Sequence, residues 1–487
     1  MQESRAALLV VVTGTLMAAV DSTIMILALP TVGQALDSNL STIIWAILIY
    51  FLLTAVLTTQ MGRIGDIFGR SRFYNAGFAV FTLGSFLCGI SPNDLALIGF
   101  RGVQAVGGAM ILANGGAVIS DHFPADRRGY AFGYTTFGWS VGAVLGILLG
   151  GVITTFFDWR YIFFINVPIG IFAVLVGYHY LKDREKTGAT LDLPGFALLT
   201  VALSLSSYGA IEMASIGVTP EYLGVTMVGV FILVPFLWWE ARAPSPTIDL
   251  TYFRDRLMSF SLLSAFLQGI GYLSIVFLLT MYLQGILGMS PLDSSLLLVP
   301  GYVVSGLFSP YMGRFADSIG ARFMATAGII IMVVGVLAYS TFTVSTNPYW
   351  VIPVSLLTGF GGAMYWPANN SAIMKQARRG SFGSISGLRS TLTGVGSLLS
   401  FVVTIAISGL SVPRDVAFAI FLGTTNLRGF PPSVAAAFLN GIHAALIVSG
   451  IILGVAAVVS YARPHDGPQR PRDDTSRGNA MPTTMSK

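Results

Sequence analysis

Continuous apolar runs of about 20 residues recur from one end of this 487-residue chain to the other. A run of that length spans the hydrocarbon core of a bilayer, about 30 Å thick, when it folds as an α-helix. Only 10% of the residues are charged, whereas a soluble domain carries roughly 25%. The runs also lack the alternating ten-residue segments of membrane β-barrels. The sequence therefore predicts an all-α polytopic membrane protein.

The apolar runs divide into fourteen predicted transmembrane helices. These spans are 6–29, 42–61, 73–91, 95–120, 130–155, 161–181, 191–211, 221–239, 258–285, 292–313, 322–343, 348–374, 383–410 and 435–461. On this division, 22 of the 27 Lys and Arg residues fall on the face that carries both termini, and three fall on the opposite face. The positive-inside rule places both termini in the cytoplasm of a multi-pass plasma membrane protein. The net charge of +5 reflects this topology, so we expect a lipid bilayer as partner and no nucleic acid.

Two halves of the chain repeat three short motifs in the same order. The first motif of each half is GRIGDIFGRSR at 62–72 and GRFADSIGARF at 313–323, the second is GGAM at 107–110 and 361–364, and the third is RRG at 127–129 and 378–380. The offset between the copies stays within 251 to 254 residues. This regularity indicates an internal duplication.

The duplication predicts the domain organisation. One six-helix bundle occupies 1–181, and a second bundle of the same orientation occupies 258–461. Two inserted helices occupy 182–257, and the polar tail 462–487 is expected to be disordered in the cytoplasm. Two parallel repeats place a substrate path at their interface near the bilayer midplane.

Two charges interrupt the apolar spans of the first half. Asp21 lies about eight residues from the outer end of the first span, and Arg101 lies about six residues from the outer end of the fourth. At 1.5 Å per residue both lie about 9 to 12 Å below the outer surface, so we expect them to form a pair. Gln104 follows Arg101 on the same helical face, and Asn114 lies deeper.

A carboxylate buried beside an arginine is a candidate for proton coupling. Burial raises the pKa of a carboxyl group and a neighbouring arginine lowers it, so a change in solvent access can load or release a proton. We therefore predict that Asp21 takes up and releases the proton while Arg101 adjusts the proton affinity of its carboxyl group. A permanent ion pair that only fixes helix packing is the alternative. The matching positions of the second half are Tyr272 and Ser355, which confines this machinery to the first half.

The first repeated motif is the predicted gate. Its residues are Gly62, Arg63, Asp66, Gly69 and Arg70, with Asp317 as the counterpart in the second half. Charges at helix ends can cap helices and form ion pairs that hold one side of a path closed. A solvated turn is the alternative.

The fifth span carries a glycine at every fourth position. The glycines are Gly138, Gly142, Gly146 and Gly150. This spacing forms a groove in which another helix can approach closely. We therefore predict that these four glycines pack against a neighbouring span.

Polar and aromatic side chains within the spans are the candidates for a substrate pocket. They are Gln104 and Asn114 in the first half and Gln268, Tyr272, Tyr365, Trp366, Asn369 and Asn370 in the second. Aromatic rings and amides suit hydrophobic or cationic organic compounds through stacking and cation–π contacts. Interhelical hydrogen bonding is the alternative for each. Arg389 lies about 9 Å from the predicted cytoplasmic edge, which its long side chain can reach.

These stretches resemble the major facilitator superfamily and, within it, the fourteen-helix branch of drug:proton antiporters. GRIGDIFGRSR is similar to the loop signature of the superfamily, and VDSTIMILALP is similar to the first-helix signature of the branch. LIGFRGVQAVGGAM resembles the fourth-helix signature, with Arg101 in the place of its arginine, and WRYIFFINVPIG at 159–170 resembles a stretch typical of the branch. The resemblance implies two six-helix bundles of major facilitator type plus two extra helices, with the first-helix acid in coupling. The fifth span departs from the antiporter signature, because Ala143 and Ile147 stand where proline and glycine are usual.

Motifs for ATP and zinc chemistry are absent from the sequence. It contains no phosphate-binding GxxxxGK, no HExxH and a single cysteine, Cys88. We therefore expect no metal, no cofactor, no enzyme activity and a proton gradient as the energy source. The predicted function is a monomeric proton-coupled antiporter that exports hydrophobic or cationic organic compounds. A lipid or amphiphile transporter, a proton symporter and a facilitator stay open within this fold, with a channel or a membrane-embedded enzyme as alternatives of another class.

Overall fold

A computed structural model describes residues 2–38, 40–43, 45–183, 191–215, 219–244, 246–378, 381–408 and 432–464. No β-strand occurs within these ranges. The long helices, numbered in chain order, are α1 (Gln2–Ala35), α2 (Trp45–Phe68), α3 (Arg70–Gly89), α4 (Asp94–His122), α5 (Arg128–Phe156), α6 (Tyr161–Tyr180), α7 (Leu193–Ser215), α8 (Pro220–Glu240), α9 (Arg256–Ile286), α10 (Pro291–Ile319), α11 (Ala321–Tyr339), α12 (Val351–Gln376), α13 (Phe382–Ser408) and α14 (Pro432–Ala462). The predicted tail from 465 onward and the end of the thirteenth predicted span lie outside the described residues.

Eleven helices in the described part of the chain are long and apolar enough to cross a membrane. The helices α3, α12 and α13 fall outside this group, and each carries Arg, Asn or Ser side chains among its apolar residues. The all-helical architecture with many membrane spans is confirmed. The count of fourteen spans stays a prediction.

Two glycines join helices at matching places in the repeat. Gly69 joins α2 to α3 with φ of 113°, and Gly320 joins α10 to α11 with φ of 105°. Glycine is favoured at both joints because a Cβ atom makes positive φ costly. At Gly69 an added Cβ would also meet the carboxylate of Asp183. The first motif of each half therefore makes the same sharp joint between two helices.

Apolar side chains fill the interior of each half. In the second half, Leu278 of α9, Met332 of α11 and neighbouring side chains form one cluster. In the first half, the cluster around Phe78 of α3 continues into Phe382 and Leu388 of α13. The two halves therefore share apolar surface along α13.

The predicted glycine groove of α5 faces α1. An added Cβ at Gly138 would lie 2.8 Å from Thr15 Oγ1, and Gly142 and Gly146 face Leu16 and Val20 in the same way. Gly150 is buried as well, and its carbonyl accepts a hydrogen bond from Thr154 Oγ1 at 2.7 Å. The backbones of α1 and α5 therefore approach each other closely along these glycines.

The first inserted helix, α7, lies against both halves. Thr200 of α7 accepts a hydrogen bond from Gln60 Nε2 of α2 at 3.2 Å, and Ile211 packs with Ala55 of α2 and Leu398 of α13. Helix α8 packs against α7 and exposes large apolar side chains such as Phe231 and Trp238. The insert therefore lies beside the α2–α13 contact.

Candidate functional site

A polar cluster lies inside the first half, between α1, α2, α4 and α6. Arg101 donates from Nη1 to Asp21 Oδ2 at 2.7 Å, and Gln104 donates from Nε2 to Asp21 Oδ1 at 2.8 Å. Asn166 of α6 donates to the same Oδ1 at 3.4 Å. Each of these four side chains is at most 1% exposed. The structure therefore brings Asp21 and Arg101 together and adds two amides.

The guanidinium of Arg101 is held on several sides. Its Nη1 also donates to Gln104 Oε1 at 2.7 Å, and its Nε donates to the Ala46 carbonyl of α2 at 2.8 Å. The Tyr50 ring lies 4.5 Å from the guanidinium carbon in a cation–π contact. A buried ion pair is stable only when its remaining protons and lone pairs find partners. These contacts fix Arg101 in place opposite Asp21.

Asn166 belongs to this cluster, and sequence reasoning did not select it although it selected other amides within the predicted spans. It lies within WRYIFFINVPIG, one of the stretches that resemble the antiporter branch. Asn166 Nδ2 also donates to Ser85 Oγ of α3 at 3.2 Å. The amide therefore ties α6 to both α3 and the carboxylate of Asp21.

The corresponding place in the second half holds neutral groups. Tyr272 of α9 is a neutral phenol near Thr358 of α12, and Ser355 donates to the Ile352 carbonyl at 2.8 Å. The polar cluster of the first half therefore has an uncharged counterpart.

The adjacent pocket candidates Asn369 and Asn370 have different surroundings. Asn369 donates to the Ser261 carbonyl of α9 and accepts from Arg463 Nη1, both at 3.1 Å. Arg463 is fully buried, although the sequence places it in the predicted tail. Asn370 accepts from Arg389 Nη1 of α13 at 3.2 Å. Asn369 therefore serves helix packing, whereas Asn370 faces Arg389.

Three further pocket candidates lie on α9 and α12. The Tyr365 hydroxyl lies 3.3 Å from Ser264 Oγ, and the Trp366 ring meets the Tyr365 ring edge-on at 5.2 Å. Gln268 is 1% exposed, and neither its Oε1 nor its Nε2 has a hydrogen-bond partner in the described structure. An unpartnered buried amide is unfavourable.

Asn114 lies away from Asp21, at the contact between α2 and α4. It donates to the carbonyls of Met61 and Met110 at 3.1 and 3.0 Å. Gly65 of α2 leaves the space that the Asn114 amide occupies. Its place in the substrate pocket stays a prediction, while its contact between two helices is what the structure provides.

The gate residue Asp66 caps a helix of the other half. Its Oδ1 accepts from the Gly383 backbone N–H at 2.8 Å, and its Oδ2 accepts from the Ser384 backbone N–H at 2.7 Å, in the first turn of α13. Arg70 donates from Nε to Asp66 Oδ1 and from Nη1 to Asp121 Oδ1, both at 2.6 Å. Asp66 is fully buried inside α2, so this part of the predicted gate is helical and is not a solvated turn. Sequence reasoning missed Asp121, which marks only the end of the fourth span.

Asp317 makes the reciprocal contact. It accepts from the backbone N–H groups of Gly129 and Tyr130, at 3.1 and 3.0 Å, in the first turn of α5. Lys375 Nζ lies 3.0 Å from its Oδ1, and Ser371 Oγ donates to the same oxygen at 3.2 Å. Each half therefore places one carboxylate at a helix N-terminus of the other, where the helix dipole favours negative charge.

The other gate residues bring the backbones of the two halves together. An added Cβ at Gly62 would clash with the Gly383 carbonyl, so α2 and α13 touch at this point. Arg63 instead faces the insert, where it borders a pocket with Gln60 and Asp192. This end of α2 therefore contacts α13 on one side and faces the insert on the other.

The sequence GWSVG at 138–142 has the GxSxG spacing of hydrolase nucleophiles. That motif requires a strand-to-helix turn, whereas Ser140 lies inside α5 and packs beside Gly306 of α10. In the described ranges, no group of three or more His, Cys, Asp or Glu side chains could hold a metal ion. The motif is therefore part of a helix contact.

Known proteins resemble this chain in sequence and in fold. The chain is 30% identical over 390 residues to the riboflavin transporter RibZ of Clostridioides difficile strain 630, covering 78% of this chain and 84% of that protein. It is 27% identical over 514 residues to the multidrug resistance protein Stp of Mycobacterium tuberculosis strain CDC 1551 / Oshkosh, covering 97% and 94%. The structure of the proton:xylose symporter XylE bound to 6-bromo-6-deoxy-D-glucose aligns with a TM-score of 0.64 at 13% identity, covering 96% and 97%.

The family model for the Major Facilitator Superfamily matches residues 11–401, which is most of the chain. One similar protein is named a riboflavin transporter and the other a multidrug resistance protein, and the solved structure shares the fold. Together with the many apolar helices, these matches identify a multi-pass membrane transporter, and transport is not an enzyme class. This protein therefore belongs to the Major Facilitator Superfamily.

Proposed function

We propose that this transporter exports hydrophobic organic compounds from the cell in exchange for protons, with Asp21 as the coupling group. The observation that carries the proposal is the fully buried ion pair of Asp21 and Arg101 at 2.7 Å. The relative Stp, which aligns with 97% of this chain, is named a multidrug resistance protein. Both the geometry and that likeness support export driven by a gradient.

The cluster links a proton to a change in helix packing. While ionised, Asp21 accepts hydrogen bonds from α4 and α6, which hold α1 in place. A protonated carboxyl group is a poorer acceptor and no longer attracts the guanidinium. Arg101 then keeps Gln104 and the Ala46 carbonyl as partners, so α1 is released while α2 and α4 stay joined. Substrate exchange follows this rearrangement.

The two carboxylate caps form a gate, which we infer opens and closes in alternation with the release of α1. Asp66 and Asp317 close the end of the path at which α1 begins, the face that the positive-inside rule assigns to the cytoplasm. In this arrangement we infer that the proposed path is closed to the cytoplasm. Opening the gate breaks both caps and admits substrate from the cytoplasm. We propose that a single chain carries out this cycle.

A facilitator or symporter of a single organic solute is the second candidate. The relative RibZ is named a riboflavin transporter, and α5 has Ala143 where the antiporter signature has proline. A symporter moves the proton in the same direction as the solute, and a facilitator moves no proton. The direction of proton flux separates the two candidates.

The test is counterflow in proteoliposomes that contain a trapped pH-sensitive dye. Ethidium and 8-anilinonaphthalene-1-sulfonate serve as cationic and anionic probes, and proton movement opposite to probe movement is expected. Asp21→Asn keeps the size of the side chain and removes the carboxyl group that can bind and release a proton. It should therefore abolish probe-driven proton movement. Asp126→Asn removes an exposed carboxylate and is the matched control, which should behave as the native protein.

Full proton-driven transport by Asp21→Asn would remove this residue from coupling. Proton movement in the same direction as the probe supports symport, and probe movement without protons supports a facilitator. Retained proton movement in Asp126→Asn ensures that any loss comes from the site and not from the change in charge.

A further inference from the structure

Arg389 lies at the interface of the two halves, in the third turn of α13. It is seven residues beyond Phe382, or about 10 Å along the helix. The next residue, Ser390, donates to the Leu112 carbonyl of α4 at 3.5 Å, and an added Cβ at Gly116 would lie 2.6 Å from Ser386 Oγ. This turn of α13 therefore faces the first half, where parallel repeats place the substrate path.

The partners of Arg389 are neutral. Its Nη1 donates to Asn370 Oδ1 at 3.2 Å, its Nη2 donates to Ser390 Oγ at 3.0 Å, and its buried Nε lacks a partner in the described structure. No carboxylate of the described residues lies within 4.0 Å of it, whereas Arg101 and Arg70 have carboxylates at 2.7 and 2.6 Å. The Arg389 side chain is half-buried, and a cation partly withdrawn from water without a counter-ion is unfavourable. Asn370 lies at a similar distance from the end of its own helix, so the guanidinium stays at this depth.

A second unpartnered group lies on α9, which packs against both α12 and α13. Ser264, one turn before Gln268 on α9, meets the Tyr365 hydroxyl, and Gly269 packs against the Thr393 carbonyl, one turn beyond Arg389. Gln268 therefore lies in the angle between α12 and α13, with both amide atoms buried and without partners.

We propose that Arg389, with Gln268 and Asn370, binds an anionic group of the transported amphiphile, a carboxylate or a sulfonate. The guanidinium can offer two parallel N–H groups to such an anion, and the Gln268 amide can donate a further hydrogen bond. Tyr365 and Trp366 supply aromatic surface for the apolar part. The subsite attracts anions and repels cations, which reverses the cationic preference expected from the sequence. It rests on the proposed transport of organic compounds.

The test is binding of three pyrene probes that differ only in their head group. They are pyrenebutyrate, pyrenebutanol and pyrenebutyltrimethylammonium, titrated onto purified protein in nanodiscs, with energy transfer from protein tryptophans as the signal and empty nanodiscs as blank. Charge-assisted hydrogen bonds predict that pyrenebutyrate binds about 10-fold or more tightly than the cationic probe. Arg389→Gln should weaken pyrenebutyrate about 10-fold and leave pyrenebutanol unchanged.

Two further variants make the result specific. Arg389→Lys keeps the charge, so it should retain preference for the anion over the cation. Arg256→Gln removes an exposed positive charge at the start of α9 and should leave all three affinities unchanged. Equal affinities for the three probes, or an equal loss of pyrenebutyrate in Arg389→Gln and Arg256→Gln, would overturn the proposal.

Binding and coupling fail separately. Arg389-dependent binding of pyrenebutyrate without proton counterflow supports the anion subsite and contradicts antiport. Proton counterflow of ethidium that is unchanged in Arg389→Gln, with no binding preference for pyrenebutyrate, supports antiport and contradicts the subsite.

Discussion

Both halves of this transporter hold an arginine inside the helical bundle, but the two arginines have different partners. Arg101 of the first half lies 2.7 Å from the carboxylate of Asp21, whereas Arg389 of the second half donates to the neutral groups of Asn370 and Ser390. The first arrangement satisfies its own charges, and the second leaves a positive charge for a ligand. Under our two proposals, the duplicated fold divides its chemistry, with the proton in one half and recognition of the substrate in the other.

Removing the two arginines tests this difference in protein stability. Arg101→Gln leaves the buried carboxylate of Asp21 without its counter-ion, and breaking a buried pair costs about 3–5 kcal/mol. Arg389→Gln strands no carboxylate in the described structure, so its free energy of unfolding should change by less than about 1 kcal/mol. Denaturant unfolding of the purified protein in detergent measures both values.

The double variant Asp21→Asn/Arg101→Gln is the control for this comparison. It replaces the ion pair by two amides, so most of the stability lost in Arg101→Gln should return while proton coupling stays absent. A loss in Arg389→Gln as large as that in Arg101→Gln would show that both arginines have structural partners, and the division between the halves would fail.

The two carboxylate caps give a second comparison, between Asp66 and Asp317. Asp66 is fully buried and bonds to the buried Arg70, whereas Lys375 beside Asp317 is 16% exposed and can turn toward water. Asp66→Asn should therefore open the gate further than Asp317→Asn. Hydrogen bonds to buried charges predict a rise of about 10-fold or more in gate opening for Asp66→Asn and about 3-fold for Asp317→Asn.

A cysteine at the gate measures the opening. Ser386 is fully buried at the contact of α13 with α4. Ser386→Cys in a Cys88→Ser background therefore reports access from the end of the path at which α1 begins. The labelling rate with a membrane-impermeant maleimide should follow the expected order. Asp126→Asn is the exposed control, and equal labelling of both cap variants would mean that the caps contribute equally.

Depth within a helix could be predicted from the sequence, and rotation about the helix axis could not. Counting residues from span ends placed Asp21 and Arg101 at the same level, because rise per residue is constant. The same counting treated Asn369 and Asn370 alike, although a rotation of about 100° sends one to Arg463 and the other to Arg389. Which face a polar residue presents depends on the neighbouring helices, and the sequence alone does not place them.

The gate shows the same limit at the level of partners. The repeat marked Asp66 and Asp317 as equivalent, and their place at helix ends predicted capping. The helices that they cap belong to the opposite half, which the repeat does not reveal. Uncharged partners such as Ser384 carried no signal of their own, and Asp121 resembled an ordinary charge at a span end.

The two glycine joints give a direct measure of the repeat. Gly69→Ala and Gly320→Ala each force a side chain into positive φ, which costs about 1–2 kcal/mol. At Gly69 the added Cβ also meets the carboxylate of Asp183, which bonds to the Ser71 backbone N–H at 2.8 Å and holds the start of α3. Gly69→Ala should therefore lower the free energy of unfolding more than Gly320→Ala, as measured by denaturant unfolding in detergent.

Gly224→Ala is the matched control, because an added Cβ there meets nothing within 4 Å and helix propensity favours alanine. A loss in Gly320→Ala that exceeds the loss in Gly69→Ala would show that the second joint is the more constrained, and that the strain of the repeat is concentrated in the half without the charge pair.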